Sequence, residues 1–360
     1  MQQNHIDGQI IVRHPEPPKD NSHIFPLFMP FAGCKSRCIF CSQEIQTGTA
    51  PAANRARLQT LLAGLDEAME QRQKAALPPV ELAFFGGTFT ATPPEWQEAC
   101  LQRAAHWKKQ GQIKATRCST RPDAISPSLL NTLRKKGLDT VELGIQSFAG
   151  SALSASRRGY SPDTAHAACR MVQDAGLTLG IQLMPGLPGQ SPKQAMQDVH
   201  LAIAASPTFV RLYPCLVFAE TPLEQLWLQG GFTPLETEAA IAFLGEACLR
   251  FWRNNIRVIR MGIAPEPSAL QGIVAGPFHP AMGARARARA LYLLLRESME
   301  AHHAATCTPP ARWCLTGPKR HQGEFWGHQG EMRKDYAQLG IDKIIWENRA
   351  DFALNRLPAF

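Results

Sequence analysis

The sequence predicts an α/β protein: a partial (β/α)6 barrel of the TIM type, followed by a smaller C-terminal α+β extension. Two observations carry this expectation. Short β-prone runs alternate with longer helical stretches up to Gly231, the pattern of a parallel sheet with right-handed crossovers. The motifs richest in chemistry fall just after those runs, at the end of a barrel where ligands bind. At 360 residues, 44% hydrophobic and 19% charged, the chain can bury one large core plus an appended unit, and its composition gives no sign of disorder.

In chain order, residues 1–21 contain His14-Pro-Glu-Pro-Pro, which disfavours regular structure and predicts an irregular N-terminal arm. The barrel is expected over 22–234, beginning at Ser22. Its strands are predicted at Ile24–Phe31, Val80–Phe85, Ile113–Ser119, Thr140–Ile145, Leu177–Met184 and Phe209–Leu212. Helices are predicted at Arg55–Gln73, Pro94–Gln110, Pro127–Lys136, Asp163–Ala175 and Pro192–Ala204, several opened by Ser, Thr or Pro. The extension, 235–360, is expected to hold a helix at Glu236–Asn254, a strand at Arg257–Arg260, a Gly- and Pro-rich segment, a long helix at Ala284–His302 and a basic tail.

The polar N-terminus and the lack of an apolar run of bilayer length argue against secretion or membrane insertion, so a cytoplasmic address is expected. Ten cysteines in such a chain read as reduced thiols or metal ligands rather than a disulfide framework. The net charge of +8 is partly concentrated late, at Arg285, Arg287, Arg289, Arg296, Arg312, Lys319, Arg320, Arg333 and Lys334. That bias suits an anionic partner such as RNA, and equally a solvated basic face.

Gly33-Cys-Lys-Ser-Arg-Cys-Ile-Phe-Cys41 follows the first strand and spaces three thiols for one metal centre. Soft sulfur donors suit an iron–sulfur cluster or zinc. Zinc needs a fourth ligand, for which His23 is the nearest upstream candidate. A cubane held by Cys34, Cys38 and Cys41 would leave one iron open. The triplet, with aromatic Phe40 before its last Cys, resembles the signature of the radical S-adenosylmethionine (AdoMet) superfamily. That resemblance implies a [4Fe-4S] cluster on the three cysteines and AdoMet on the open iron.

The later motifs extend it. Phe84-Phe-Gly-Gly-Thr-Phe89 matches the superfamily's glycine pair, implying that Gly86, Gly87 and Thr88 meet the AdoMet amino group; by itself, paired glycine is a turn signal. Ser119-Thr-Arg-Pro-Asp123 follows, with Ser119 where relatives commonly carry Glu. Arg158 is a candidate for a bidentate grip on the AdoMet carboxylate, or a surface arginine flanking a helix. Gln146 and Gln182, at strand ends, are candidates for the ribose hydroxyls or the carboxylate, or structural amides. From Cys34 through Arg211-Leu-Tyr-Pro-Cys215 to Gly231, the series resembles the radical domain of the Elongator catalytic subunit, in particular stand-alone bacterial relatives, and more distantly oxygen-independent coproporphyrinogen III oxidases. This implies reductive AdoMet cleavage, a reductant such as flavodoxin or ferredoxin, and tRNA as substrate; membrane and DNA are not expected. The tail shows no acetyl-CoA signature, so acetyl transfer is not expected, and Gln43 stands where coproporphyrinogen oxidases place a further Cys. The alternatives are a tetrapyrrole or other small anionic substrate, and an RNA-binding protein whose cluster is structural.

Beyond the barrel, His279 is either a substrate contact or an ordinary loop histidine. Gly327-His-Gln-Gly330, before a helix and a strand, is reminiscent of a KH RNA-clamping loop. Cys307 and Cys314 are candidates for an auxiliary cluster or idle thiols, whereas Cys100, Cys118, Cys169, Cys215 and Cys248 read as packing residues.

Overall fold

The computed structural model describes residues 5–6, 9–18, 23–35, 37–43, 55–264, 267–306 and 312–357. The expected barrel start at Ser22 and the thiol of Cys307 lie outside these. The chain forms two compact units, one of Pro18–Glu236 with Ile263–Pro277, the other of Met1–Pro17, Thr237–Gly262 and Phe278–Phe360.

The larger unit is the partial barrel. It runs β1 (Ile24–Phe28), α1 (Arg55–Lys74), β2 (Val80–Phe85), α2 (Pro94–Lys109), β3 (Ile113–Thr120), α3 (Pro127–Lys135), β4 (Thr140–Gln146), α4 (Gly150–Ala155), α5 (Pro162–Asp174), β5 (Thr178–Leu183), α6 (Pro192–Ala204) and β6 (Phe209–Leu212). These six strands pair in chain order, all parallel. Both sides of β2 and β4 are covered, as parallel sheets require. The helix starts follow one device: Ser126, Ser161 and Ser191 accept the amide three residues on, and proline holds the next position.

Side chains of one parity point into the barrel, where a charged layer crosses it. Arg117 forks onto Glu81 at 2.7 and 2.6 Å. Glu142 lies 3.6 Å from Arg117 and 3.1 Å from Arg211. On β5 the place is taken by Gly180, where a Cβ would sit 2.3 Å from the Phe209 ring. That ring in turn carries the Arg117 guanidinium 4.5 Å above it. Val217–Phe218 and Ile273–Ala275 form a small antiparallel pair, which brings segment 263–277, assigned from sequence to the extension, into the barrel unit.

In the smaller unit, the reading of the first residues as an irregular arm is corrected. Gln9–Val12 is a strand beside Phe352–Arg356, because its alternating burial presents Ile10 and Val12 to the core. Phe352–Arg356 pairs with Trp313–Pro318, and that strand runs parallel to Ile341–Glu347. The helices Thr237–Arg253 and Met282–Thr306 pack so closely that a Cβ on Gly245 would lie 2.8 Å from Arg289.

His14, His321 and Glu324 place three ligand atoms within 4.8 Å, a metal-like spacing. The His14 Nδ1 accepts the Glu16 amide and the His321 Nε2 accepts the Arg320 Nε–H, so the nitrogens facing Glu324 carry the protons. With Arg287 also 3.2 Å from Glu324, the trio is a hydrogen-bonded hub around a carboxylate, not a cation site.

Five of the late arginines lie in ion pairs, several of them at the surface. Arg285 pairs with Glu238 and Glu331, Arg287 with Glu16, Arg289 with Asp335, Arg296 with Glu300 and Arg312 with Asp342. Arg333 covers the Trp326 ring at 4.6 Å.

Candidate functional site

The C-terminal ends of β1 to β5 carry the site. Leaving β1, the chain enters the cysteine loop, which the end of β2 holds by its backbone. Met29 N–H donates to Phe85 O, Phe31 N–H to Gly86 O, and Thr88 N–H to Ala32 O, at 2.7 to 2.8 Å. The glycines make this approach possible. A Cβ on Gly87 would lie 2.3 Å from Ala32 O, and one on Gly33 would lie 2.3 Å from Thr88 O. The pair read from sequence as a ligand contact therefore first serves to dock the cysteine loop. Thr88 adds its hydroxyl, 3.3 Å from Cys34 Sγ.

Gln43, past the last cysteine, turns its side-chain carbonyl back to the Phe31 amide at 2.5 Å, stapling the two ends of the loop. Phe40 is buried with Cys38, Ile39, Ala152, Leu187, Cys215, Val217, Leu223 and Phe232, so it seats the loop on an apolar bed. Burial, with repulsion from Cys38 and Cys34, pushes the Cys41 thiol up to about 12. Three sulfurs brought together on one loop are a donor set that a multivalent cationic centre would stabilise.

His23 cannot complete a zinc site. It precedes β1, its carbonyl accepting the Glu81 amide, whereas the cysteines follow β1. The five residues between put about 16 Å of extended chain between the two ends.

Arg158 is 4% exposed, not a surface arginine. Its Nη1 donates to Cys38 Sγ at 2.9 Å, its Nη2 to Gly144 O and its Nε to Tyr160 Oη at 3.1 Å. Gln146 closes β4 in the left-handed region, φ 65°, and its side-chain carbonyl accepts from Gln182 Nε2 at 3.3 Å. Gly144 leaves room for both Gln146 and Arg158: its Cβ would meet the Gln146 amide at 3.1 Å and Arg158 at 3.7 Å. Cys38, Arg158, Gln146 and Gln182 thus share one neighbourhood. Ser119 lies on β3, half-buried and in register with Glu142, on the same face as Arg117.

Sequence reasoning missed several supports. Asp198 accepts from Ser147 Oγ, the Phe148 amide and Gln190 Nε2 at 2.5 to 2.8 Å, tying the turn after Gln146 to the loop after β5. Burial raises the Asp198 pKa against those three donors. Arg121 forks onto Asp123 at 2.9 Å. The motif Ser119-Thr-Arg-Pro-Asp123 contained that pair, but nothing in it showed which way the arginine faced.

Two candidates of the smaller unit are spent locally. His279 Nδ1 accepts the Ala281 amide at 3.0 Å, shaping the turn into the long helix. In the Gly327–Gly330 loop, the His328 amide donates to the Glu331 carboxylate at 3.1 Å and the Gly330 amide to Gly327 O. An acidic side chain holds an amide that a phosphate would need, so this is not an open RNA clamp. Cys314 is buried in a strand, and Cys100, Cys118, Cys169, Cys215 and Cys248 are buried as expected.

The model of the radical SAM superfamily matches residues 28–202, and that of the Radical_SAM C-terminal domain matches 207–291. The tRNA uridine(34) acetyltransferase of Methanocaldococcus infernus is 30% identical over 62% of this chain and 49% of its own length. Elongator complex protein 3 of Mus musculus is 24% identical over 66% of this chain and 50% of its own. The solved structure of the Methanocaldococcus infernus Elp3 with an N-terminal deletion superposes with a TM-score of 0.55 at 24% identity, over 78% of this chain and 64% of that one. The chain spans about half the length of the curated relatives it matches.

Proposed function

Since the chain belongs to the radical SAM superfamily, we propose that it is an enzyme that cleaves AdoMet reductively and uses the resulting radical to modify tRNA. The observation that carries the radical chemistry is the Cys34, Cys38, Cys41 loop, docked on Gly86–Thr88 with Arg158 on the Cys38 sulfur. These three thiolates would hold a [4Fe-4S] cluster. Such a cluster would supply the electron for the reductive cleavage of AdoMet.

The chain's own residues do the rest. The loop's apolar bed, including Phe40 and Cys215, keeps water from the cysteine side of the site. Arg158 and the amides of Gln146 and Gln182 face the ground beside Cys38, where a carboxylate and ribose hydroxyls need donors and acceptors. The Asp198 network fixes the two turns that present those amides, so their positions are set before any ligand arrives. A small reductant such as flavodoxin or ferredoxin would supply the electron.

Support for tRNA comes from relatives named for its modification. Among the described residues no helix is long and apolar enough to cross a membrane.

The test is anaerobic reconstitution with iron and sulfide, then dithionite and AdoMet. Production of 5′-deoxyadenosine above a Cys38→Ala control supports the enzyme reading, and its absence overturns it. Turnover stimulated by unmodified tRNA, with a mass change on the RNA, supports the substrate; stimulation by a tetrapyrrole instead would overturn it.

A further inference from the structure

Cys38 is bracketed by two guanidinium groups, and they are held differently. Arg158 donates to the sulfur at 2.9 Å and is held by further bonds to Gly144 O and Tyr160 Oη. Arg121 Nη1 stands 3.7 Å from the same sulfur. Its Nε and Nη2 are forked onto Asp123 at 2.9 Å each, and Nη2 also donates to the Arg158 carbonyl. The guanidinium is thus anchored on the side away from Cys38 and presents its remaining edge to the sulfur. Cys38 is 7% exposed, so these charges act where solvent screening is weak.

Resting on the cluster assignment above, we propose that Arg121 is a positioning residue that acts through the Cys38 sulfur to make the cluster easier to reduce, with Asp123 fixing its aim. Hydrogen bonds and positive charge at a ligand thiolate stabilise the extra electron of the reduced cluster and raise its potential. No reaction step passes through Arg121 itself. A plain structural brace for the loop before α3 would have the same contacts with Asp123 and Arg158. It would affect how much cluster is held, not how readily that cluster is reduced.

The two roles separate in an electron paramagnetic resonance redox titration of the reconstituted protein without AdoMet, with iron content measured on the same samples. Arg121→Gln is expected to load the cluster and shift its midpoint potential negative. Arg121→Lys, which keeps the charge, restores most of the shift. Asp123→Asn, which leaves the arginine but loosens its anchor, moves the potential part of the way. A loaded Arg121→Gln protein with an unaltered potential overturns the inference; if that variant holds no cluster, an unaltered potential in Asp123→Asn does so. Failure of the unsubstituted protein to take up a cluster would instead overturn the reading of the cysteine loop, and this inference with it.

Discussion

Arg158 Nη1 lies 2.9 Å from Cys38 Sγ, although the two residues are 120 positions apart. The arginine reaches the sulfur because α4 and the turn after it fold back over the cysteine loop, with Ile39 N–H donating to Ser156 O at 3.4 Å. One guanidinium satisfies a sulfur, a carbonyl and a phenol at once, a geometry that a lysine cannot reproduce. Arg158→Lys should therefore weaken AdoMet binding roughly tenfold, equivalent to one charge-assisted hydrogen bond of about 1.5 kcal/mol. Equilibrium binding to the reconstituted protein measures this, and unchanged affinity would remove Arg158 from the site.

Gly87→Ala should spoil the cluster site while leaving the barrel folded. The new Cβ would fall 2.3 Å from Ala32 O and 2.9 Å from Met29 O, both backbone atoms, so the cysteine loop has to move. Iron and sulfide per chain should drop several-fold after reconstitution, with the far-ultraviolet circular dichroism of the unsubstituted protein retained. Full cluster content would show that the close approach is not needed.

The charged layer in the barrel predicts a large stability effect. Arg117→Ala would leave Glu81 and Glu142 buried without their shared partner, at a cost of about 3–5 kcal/mol. Denaturant unfolding should show the midpoint falling accordingly. The double change Arg117→Met with Glu81→Leu should recover part of the loss, since two apolar side chains leave fewer charges stranded.

Glu324 makes the smaller unit sensitive to acid. Burial alone would raise its pKa, but hydrogen bonds from His14 and His321 and the charge of Arg287 outweigh it and hold the carboxyl well below its ordinary value of 4.5. A depressed carboxyl contributes stability that is complete above its unfolded value and lost as pH falls through the folded one. Melting temperature should therefore decline as pH drops below about 4.5, and Glu324→Gln should flatten that decline while lowering stability at neutral pH. Parallel acid dependence in the two proteins would exclude Glu324 as the cause.

The barrel was legible because its signals are local. Strand and helix periods follow from the spacing of apolar residues, and the Ser-Pro starts at Ser126, Ser161 and Ser191 need only neighbouring atoms to work. The strand Gln9–Val12 of the smaller unit was not legible, because its main partner, Phe352–Arg356, is more than 300 residues away. Proline-rich flanks gave the stronger local signal and pointed to an arm.

The sequence by itself determined the chemistry available: three thiols at a spacing suited to one metal centre, a glycine pair one strand later, and a parallel α/β frame to carry them. Only the tertiary structure decided what each group faces. It turned Gly87 into a docking surface for the cysteine loop, put Arg158 and Arg121 on the Cys38 sulfur, and paired Arg285 and Arg287 with Glu238 and Glu16. The reason is physical. A residue type fixes what bonds a side chain can make, but charge and hydrogen bonding act over a few ångströms, and which partner lies within that reach is set by the folding of distant segments.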